Sequence, residues 1–129
     1  MALSAGERDG IRELARAINS RNRRKREREG EEQRERLALA RAEVDRLVTE
    51  FQRVDPALRR VVLFGSLARD DAKSLDFDID LAVDASRYLD LLGIALDSPF
   101  KVDLVDLSSA SRYIVAAIER DGVEVYRAG

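Results

Sequence analysis

Apolar residues recur along this chain at two different periods. Ile11, Leu14, Ala15 and Ile18 fall at i, i+3, i+4 and i+7, which predicts one apolar stripe on a short helix. Leu37, Ala40, Val44, Leu47, Val48 and Phe51 continue the helical period and predict a second helix over about residues 32–53, with its stripe docked on a sheet. Asp55-Pro56 ends that helix, because proline disfavours helical backbone in the residue before it. Between the two stripes, residues 19–28 (NSRNRRKRER) are polar and strongly basic. Gly30 then interrupts the pattern, and Glu31-Glu32 opens a mixed-charge stretch. Without Gly30, the whole region reads as one long solvated helix with Arg and Glu at helical spacing.

From Arg60 onward the period changes. The run Val61-Val62-Leu63-Phe64 predicts a first strand, Arg60–Phe64. Gly65-Ser66 is a tight turn, and Ser66-Leu67-Ala68-Arg69 opens a short helix whose first N–H groups face that turn. Residues 70–75 predict a loop. In the second strand, residues 77–83, acidic and apolar residues alternate. Asp76, Asp78 and Asp80 share one face, and Phe77, Ile79 and Leu81 the other. Tyr88–Leu96 reads as a helix with Leu89, Leu92 and Leu96 on its apolar side, broken by Ser98-Pro99. Residues 101–107 (KVDLVDL) predict a third strand. Ser108 or Ser109 is placed to cap a further helix whose Tyr113, Ile114, Ala117 and Ile118 face inward. Asp121-Gly122 is a turn, and residues 123–126 form a last short strand at an edge. The fold class is therefore α/β (α+β): a small mixed sheet with helices on one side. Residues 1–31 are a charged helical extension and residues 32–129 the main domain. No internal repeat or Pro/Gly-rich linker is present.

Composition narrows the chemistry. The 129 residues contain no cysteine and no histidine. That excludes disulfides, thiolate nucleophiles, His-ligated zinc and imidazole acid–base catalysis. Carboxylates must carry any active site. Net charge is −2, but it is unevenly spread. Residues 1–60 hold 16 Lys and Arg against 12 Asp and Glu, whereas residues 61–129 hold 7 against 13. No apolar run approaches the length of a membrane span, and no signal-peptide core opens the chain. A cytoplasmic protein is the expectation.

Carboxylates crowded on one face of a strand repel each other, and a divalent cation is the usual remedy. A Gly-Ser turn directly after a strand lets backbone N–H groups approach a phosphate. A carboxylate cluster and a phosphate cradle this close in sequence point to nucleotide chemistry.

These residues also carry a family resemblance. Phe64-Gly65-Ser66-Leu67-Ala68-Arg69 followed by Asp78-Ile79-Asp80-Leu81-Ala82-Val83 resembles the signature of the DNA polymerase β-like nucleotidyltransferases. More narrowly, it resembles the minimal nucleotidyltransferases (MNT), short members often encoded beside a HEPN-domain partner. The resemblance covers about residues 60–127. It implies the polymerase β-like fold, a third carboxylate on a later strand, and transfer of a nucleoside monophosphate, AMP from ATP, to a hydroxyl. It also implies an antitoxin role in which the acceptor is a tyrosine of a HEPN-type toxin. Mg²⁺ is the implied cofactor in a two-ion site, with Mn²⁺ as a substitute.

On that resemblance Asp78 and Asp80 form the metal-binding pair, and Asp103 supplies the third carboxylate and orients or deprotonates the acceptor. Gly65, Ser66 and Arg69 are the nucleotide-binding residues. Asp76-Phe77-Asp78 offers a second register, with Asp76 at the rim. Asp103 and Asp106 lie three apart, so only one can join the cluster, and the family pattern favours Asp103. Arg69 reads equally well as an ion-pair partner of Asp70 or Asp71. Asp70 replaces the family's usual glycine and adds negative charge near the phosphates. Two other functions compete. One is a binding-only antitoxin whose helical extension covers its partner. The other is an RNA nucleotidyltransferase binding through residues 21–28, against which stands the lack of interleaved aromatic residues for base stacking. Oligomerisation through the N-terminal helices stays open.

Overall fold

The computed structural model describes residues 2, 4–69 and 78–129. The chain forms two compact units, residues 1–35 and 36–129. Eight elements follow in order: α1 (Ala5–Val54), β1 (Arg60–Phe64), α2 (Gly65–Arg69), β2 (Ile79–Asp84), α3 (Tyr88–Leu96), β3 (Val102–Asp106), α4 (Arg112–Asp121) and β4 (Val123–Arg127).

Helix α1 continues through Gly30, where the sequence predicted a break. A helical glycine costs about 1 kcal/mol relative to alanine. The Arg- and Glu-rich turns on both sides favour helix strongly enough to carry it. In the N-terminal unit the stripe residues Ile11, Leu14 and Ile18 are all exposed.

In the second unit the sheet order is β3-β2-β1-β4. β1 pairs antiparallel with β2 and with β4, whereas β2 and β3 are parallel. The parallel pair requires a crossover, and α3 makes it. Strand periodicity sorts the side chains between two layers. Val61, Leu63, Ile79, Leu81, Val83, Val102 and Leu104 pack with α1 residues Val44, Leu47 and Phe51 and with Leu91 and Ala95 of α3. On the other face Val62, Ala82, Phe64, Val105 and Leu107 gather around Ile118 of α4. Helices therefore cover both faces, where one side was predicted.

Two helices match the predicted stripes only in part: Leu92 packs partly buried against the core and Ile118 is buried, but other predicted positions face solvent. Helix α3 inserts Leu91 and Ala95, while Leu89 is 78% exposed and Leu96 is also exposed. Helix α4 buries Ile118 alone, and Tyr113 is 75% exposed. Its N-cap is Ser111, whose Oγ accepts the Ile114 N–H at 3.3 Å, and neither Ser108 nor Ser109 takes that role. Ser108 instead donates its N–H to Asp106 Oδ1 at 3.0 Å, so Asp106 closes the turn after β3.

Two buried acids lock the elements together. Asp55 is 1% exposed. It accepts the Ala57 N–H at 3.1 Å, the Ser86 N–H at 2.8 Å and the Arg87 N–H at 3.1 Å, tying the end of α1 to the loop before α3. Glu43 on α1 pairs with Arg46 at 2.5 Å and accepts a hydrogen bond from Ser98. Those bonds, the Arg46 one foremost, hold its carboxyl below the usual range against the opposing cost of burial.

Candidate active site

The register of the central strands assembles the site. Antiparallel pairing sets Phe64, the last residue of β1, opposite Asp80, and parallel pairing sets Asp80 opposite Asp103. The chain leaves β1 at Gly65, so the Gly-Ser turn begins beside Asp80. Gly65 has φ +75°, a left-handed conformation that side chains rarely adopt. A Cβ at that position would overlap Asp80 Oδ2. Glycine is required here for two reasons, backbone conformation and space.

Asp80 is half-buried, and Asp103 on edge strand β3 is exposed. The two carboxyls stand close enough for the negative charge of Asp103 to act on Asp80. The Asp80 pKa is pushed up to about 6, chiefly by burial, then by the negative charges of Asp103 and Asp78; Arg69 acts in the opposite direction. Arg69 also lies near enough to Asp121 to help hold that carboxyl low, second to the hydrogen bonds from Arg120. Ser66 follows Gly65 in the first turn of α2. Asp78 stands just before β2, with its Oδ2 3.4 Å from the Lys101 ammonium. Asp70, Asp71 and Asp76 lie outside the described residues.

The structure therefore sets Gly65 and Asp103 each beside Asp80 and puts Arg69 and Asp78 within electrostatic range of it. Among the described residues, no three acidic side chains converge tightly enough to hold a metal ion. The donor set still suits one. Two hard carboxylates meet at a place where their charges repel, with a third beside them, and a divalent cation relieves that repulsion. Lys101 escaped the reading of the sequence. Its signal was its position two residues before Asp103, on the same strand face.

Comparison with known proteins identifies the family. The family model described as Polymerase beta, Nucleotidyltransferase matches residues 46–128. The chain belongs to this nucleotidyltransferase family. It is an NTP-dependent nucleotidyltransferase with the polymerase β-like fold. One similar solved structure is a mutant MntA–HpeT toxin–antitoxin complex. The identity is 28%, covering 65% of this chain and 72% of that one, with a TM-score of 0.52. Another is a toxin–antitoxin with AMP-PNP, at 31% identity over 64% of this chain and 73% of that one, with a TM-score of 0.51. Both agree with the resemblance to the minimal nucleotidyltransferases. No curated protein gives a significant match to the chain. Among the described residues, no helix of this nucleotidyltransferase is long and apolar enough to cross a membrane.

Proposed function

We propose that this nucleotidyltransferase moves AMP from ATP to a tyrosine hydroxyl of a HEPN-type toxin and thereby acts as an antitoxin in the cytoplasm. The observation that carries the catalytic part is the convergence of Gly65, Asp80 and Asp103 at the same end of the sheet. Similarity to a toxin–antitoxin with AMP-PNP supports the adenine nucleotide and the partner class.

The Gly65-Ser66 turn receives the β- and γ-phosphates, since a backbone without a Cβ admits them closely and the Ser66 hydroxyl can donate to them. Arg69 offsets phosphate charge beside Asp80. A divalent cation, Mg²⁺ or Mn²⁺, held by Asp78, Asp80 and Asp103 would neutralise the triphosphate and acidify the acceptor hydroxyl. Asp103, exposed at the edge strand, faces the incoming acceptor. The acceptor oxygen forms a bond to the α-phosphorus while the bond from that phosphorus to the α–β bridging oxygen breaks. Pyrophosphate leaves, and Asp103 takes the hydroxyl proton.

The test is incubation of the full chain with α-labelled ATP and Mn²⁺, with and without a candidate HEPN protein, beside Asp80→Asn. Label on the HEPN protein with the wild type alone supports the reading. Label on RNA would replace the acceptor. Tight complex formation without label would make the chain a binding-only antitoxin.

A further inference from the structure

One cation beside the carboxylates has no part in the reaction just described. The β2–β3 ladder places Asp80 opposite Asp103. One step earlier on the same face, before the Ile79–Val102 pair, stand Asp78 and Lys101. The Ile79 N–H donates to the Lys101 carbonyl at 2.9 Å, so backbone pairing, and not side-chain reach alone, keeps the two residues adjacent. The Lys101 ammonium lies 3.4 Å from Asp78 Oδ2. The turn that carries Lys101 is anchored too: Ser98 Oγ donates to Glu43 on α1 and accepts the Phe100 N–H at 3.1 Å. Four side chains thus form a quartet on one face. Asp80 and Asp103 repel across the strands, and Asp78 and Lys101 attract. The third carboxylate, Asp78, is thus engaged by an ammonium beside the Asp80–Asp103 pair.

We propose that Lys101 is a positioning residue that holds Asp78 in reserve and sets the divalent-cation concentration at which the three-carboxylate site assembles. The proposal rests on the reading of Asp78, Asp80 and Asp103 as the metal-binding groups. A cation entering the site must take Asp78 from Lys101, and it must also approach a fixed positive charge. Both effects weaken metal binding in the absence of nucleotide. The pair is substantially exposed, with Lys101 at 73% and Asp78 at 40%, so the ion-pair contribution is modest.

The experiment is Mn²⁺ titration of the full chain by calorimetry, without nucleotide, comparing wild type with Lys101→Met, Lys101→Arg, Asp78→Asn and the double variant Lys101→Met/Asp78→Asn. Loss of an exposed pair shifts an equilibrium by up to about fivefold, and with the charge repulsion relieved as well Lys101→Met binds Mn²⁺ about three- to tenfold more tightly. Lys101→Arg keeps the charge and stays near wild type. The double variant binds Mn²⁺ with a gain over Asp78→Asn smaller than the gain of Lys101→Met over wild type. The Mn²⁺ concentration for half-maximal transfer falls in Lys101→Met by the same factor as its dissociation constant. Equal or weaker binding by Lys101→Met overturns the proposal, as does a gain of the same size in Lys101→Arg or an undiminished gain in the double variant. Wild type that binds no Mn²⁺ overturns the metal-site reading itself, and the proposal with it, so the two failures are distinct.

Discussion

The Asp80 carboxylate lies where a side chain on Gly65 would project. The turn and the acidic strand are therefore one device: the φ of +75° at Gly65 turns the chain away from β1, and the vacancy at its Cα admits the carboxylate. Gly65→Ala strains the backbone by about 1–3 kcal/mol and displaces Asp80. Displacement of a reacting group by about 1 Å is worth about 100-fold in rate. The expected outcome is a transfer rate lower by about that factor, together with a lower melting temperature. Single-turnover transfer and thermal denaturation check the two parts separately.

This device was partly legible in the sequence. Period-two alternation marked Asp78 and Asp80 as sharing a face, and Gly65-Ser66 after an apolar run marked the turn. That Asp80 meets Asp103 depends on β2 and β3 lying parallel and in register, and alternation within one strand carries no information about its neighbour. The position of Lys101 two residues before Asp103 was legible, but its pairing with Asp78 depends on the same register. The helices were harder to read. In α3 (YLDLLGIAL) apolar residues surround the axis, so several stripes fit equally well. Packing selects Leu91 and Ala95. Gly30 suggested a break in α1 because local propensity was weighed at one residue, whereas helix stability sums over the flanking turns.

The edge strand β4 makes a second prediction, in acid. Glu124 accepts hydrogen bonds from Arg127 at 2.6 Å and Arg60 at 2.7 Å, and these push its pKa down to about 2 from 4.5. The folded state thus holds the Glu124 proton less tightly than the unfolded chain does. Its contribution to stability is present above about pH 4.5 and fades as pH falls toward 2. Glu124 is well solvated, so screening keeps the effect small. Urea midpoints measured across that range should fall less steeply with acid in Glu124→Gln than in wild type. Parallel slopes would show that the Arg60 and Arg127 pairs contribute nothing to folding.

Asp55 separates stability from chemistry. It belongs to the junction of α1 with the loop before α3, and its carboxylate accepts three backbone N–H groups. Asp55→Ala leaves those donors unpaired in a site with little access to water, at a cost of about 1–3 kcal/mol for each buried group left unsatisfied. A loss of about 3 kcal/mol or more is expected. Asp55→Asn keeps one acceptor oxygen and should lose less. The residue touches none of the groups around Gly65, so transfer per folded molecule at low temperature should match wild type. Urea denaturation gives the first quantity, and an active-site-normalised rate gives the second.

Asp80→Asn should act in opposite directions on stability and activity. In the metal-free protein Asp80 is half-buried and faces the charges of Asp103 and Asp78. Asparagine removes that repulsion and can donate to Asp103, so the apo variant should melt at a higher temperature than wild type. Mg²⁺ or Mn²⁺ reverses the order. A cation that binds only the folded state stabilises by about 2.7 kcal/mol at 100 times its dissociation constant, and this gain belongs to the wild type alone. Outer-shell partners of metal ligands are worth about 10–100-fold in activity. Asp80 would be a ligand itself, so transfer should fall by more than about 100-fold. Thermal melts with and without Mn²⁺ test the crossing of the two curves. If Asp80→Asn were less stable than wild type without metal, the repulsion between Asp80 and Asp103 would not be the force that prepares this site for a cation.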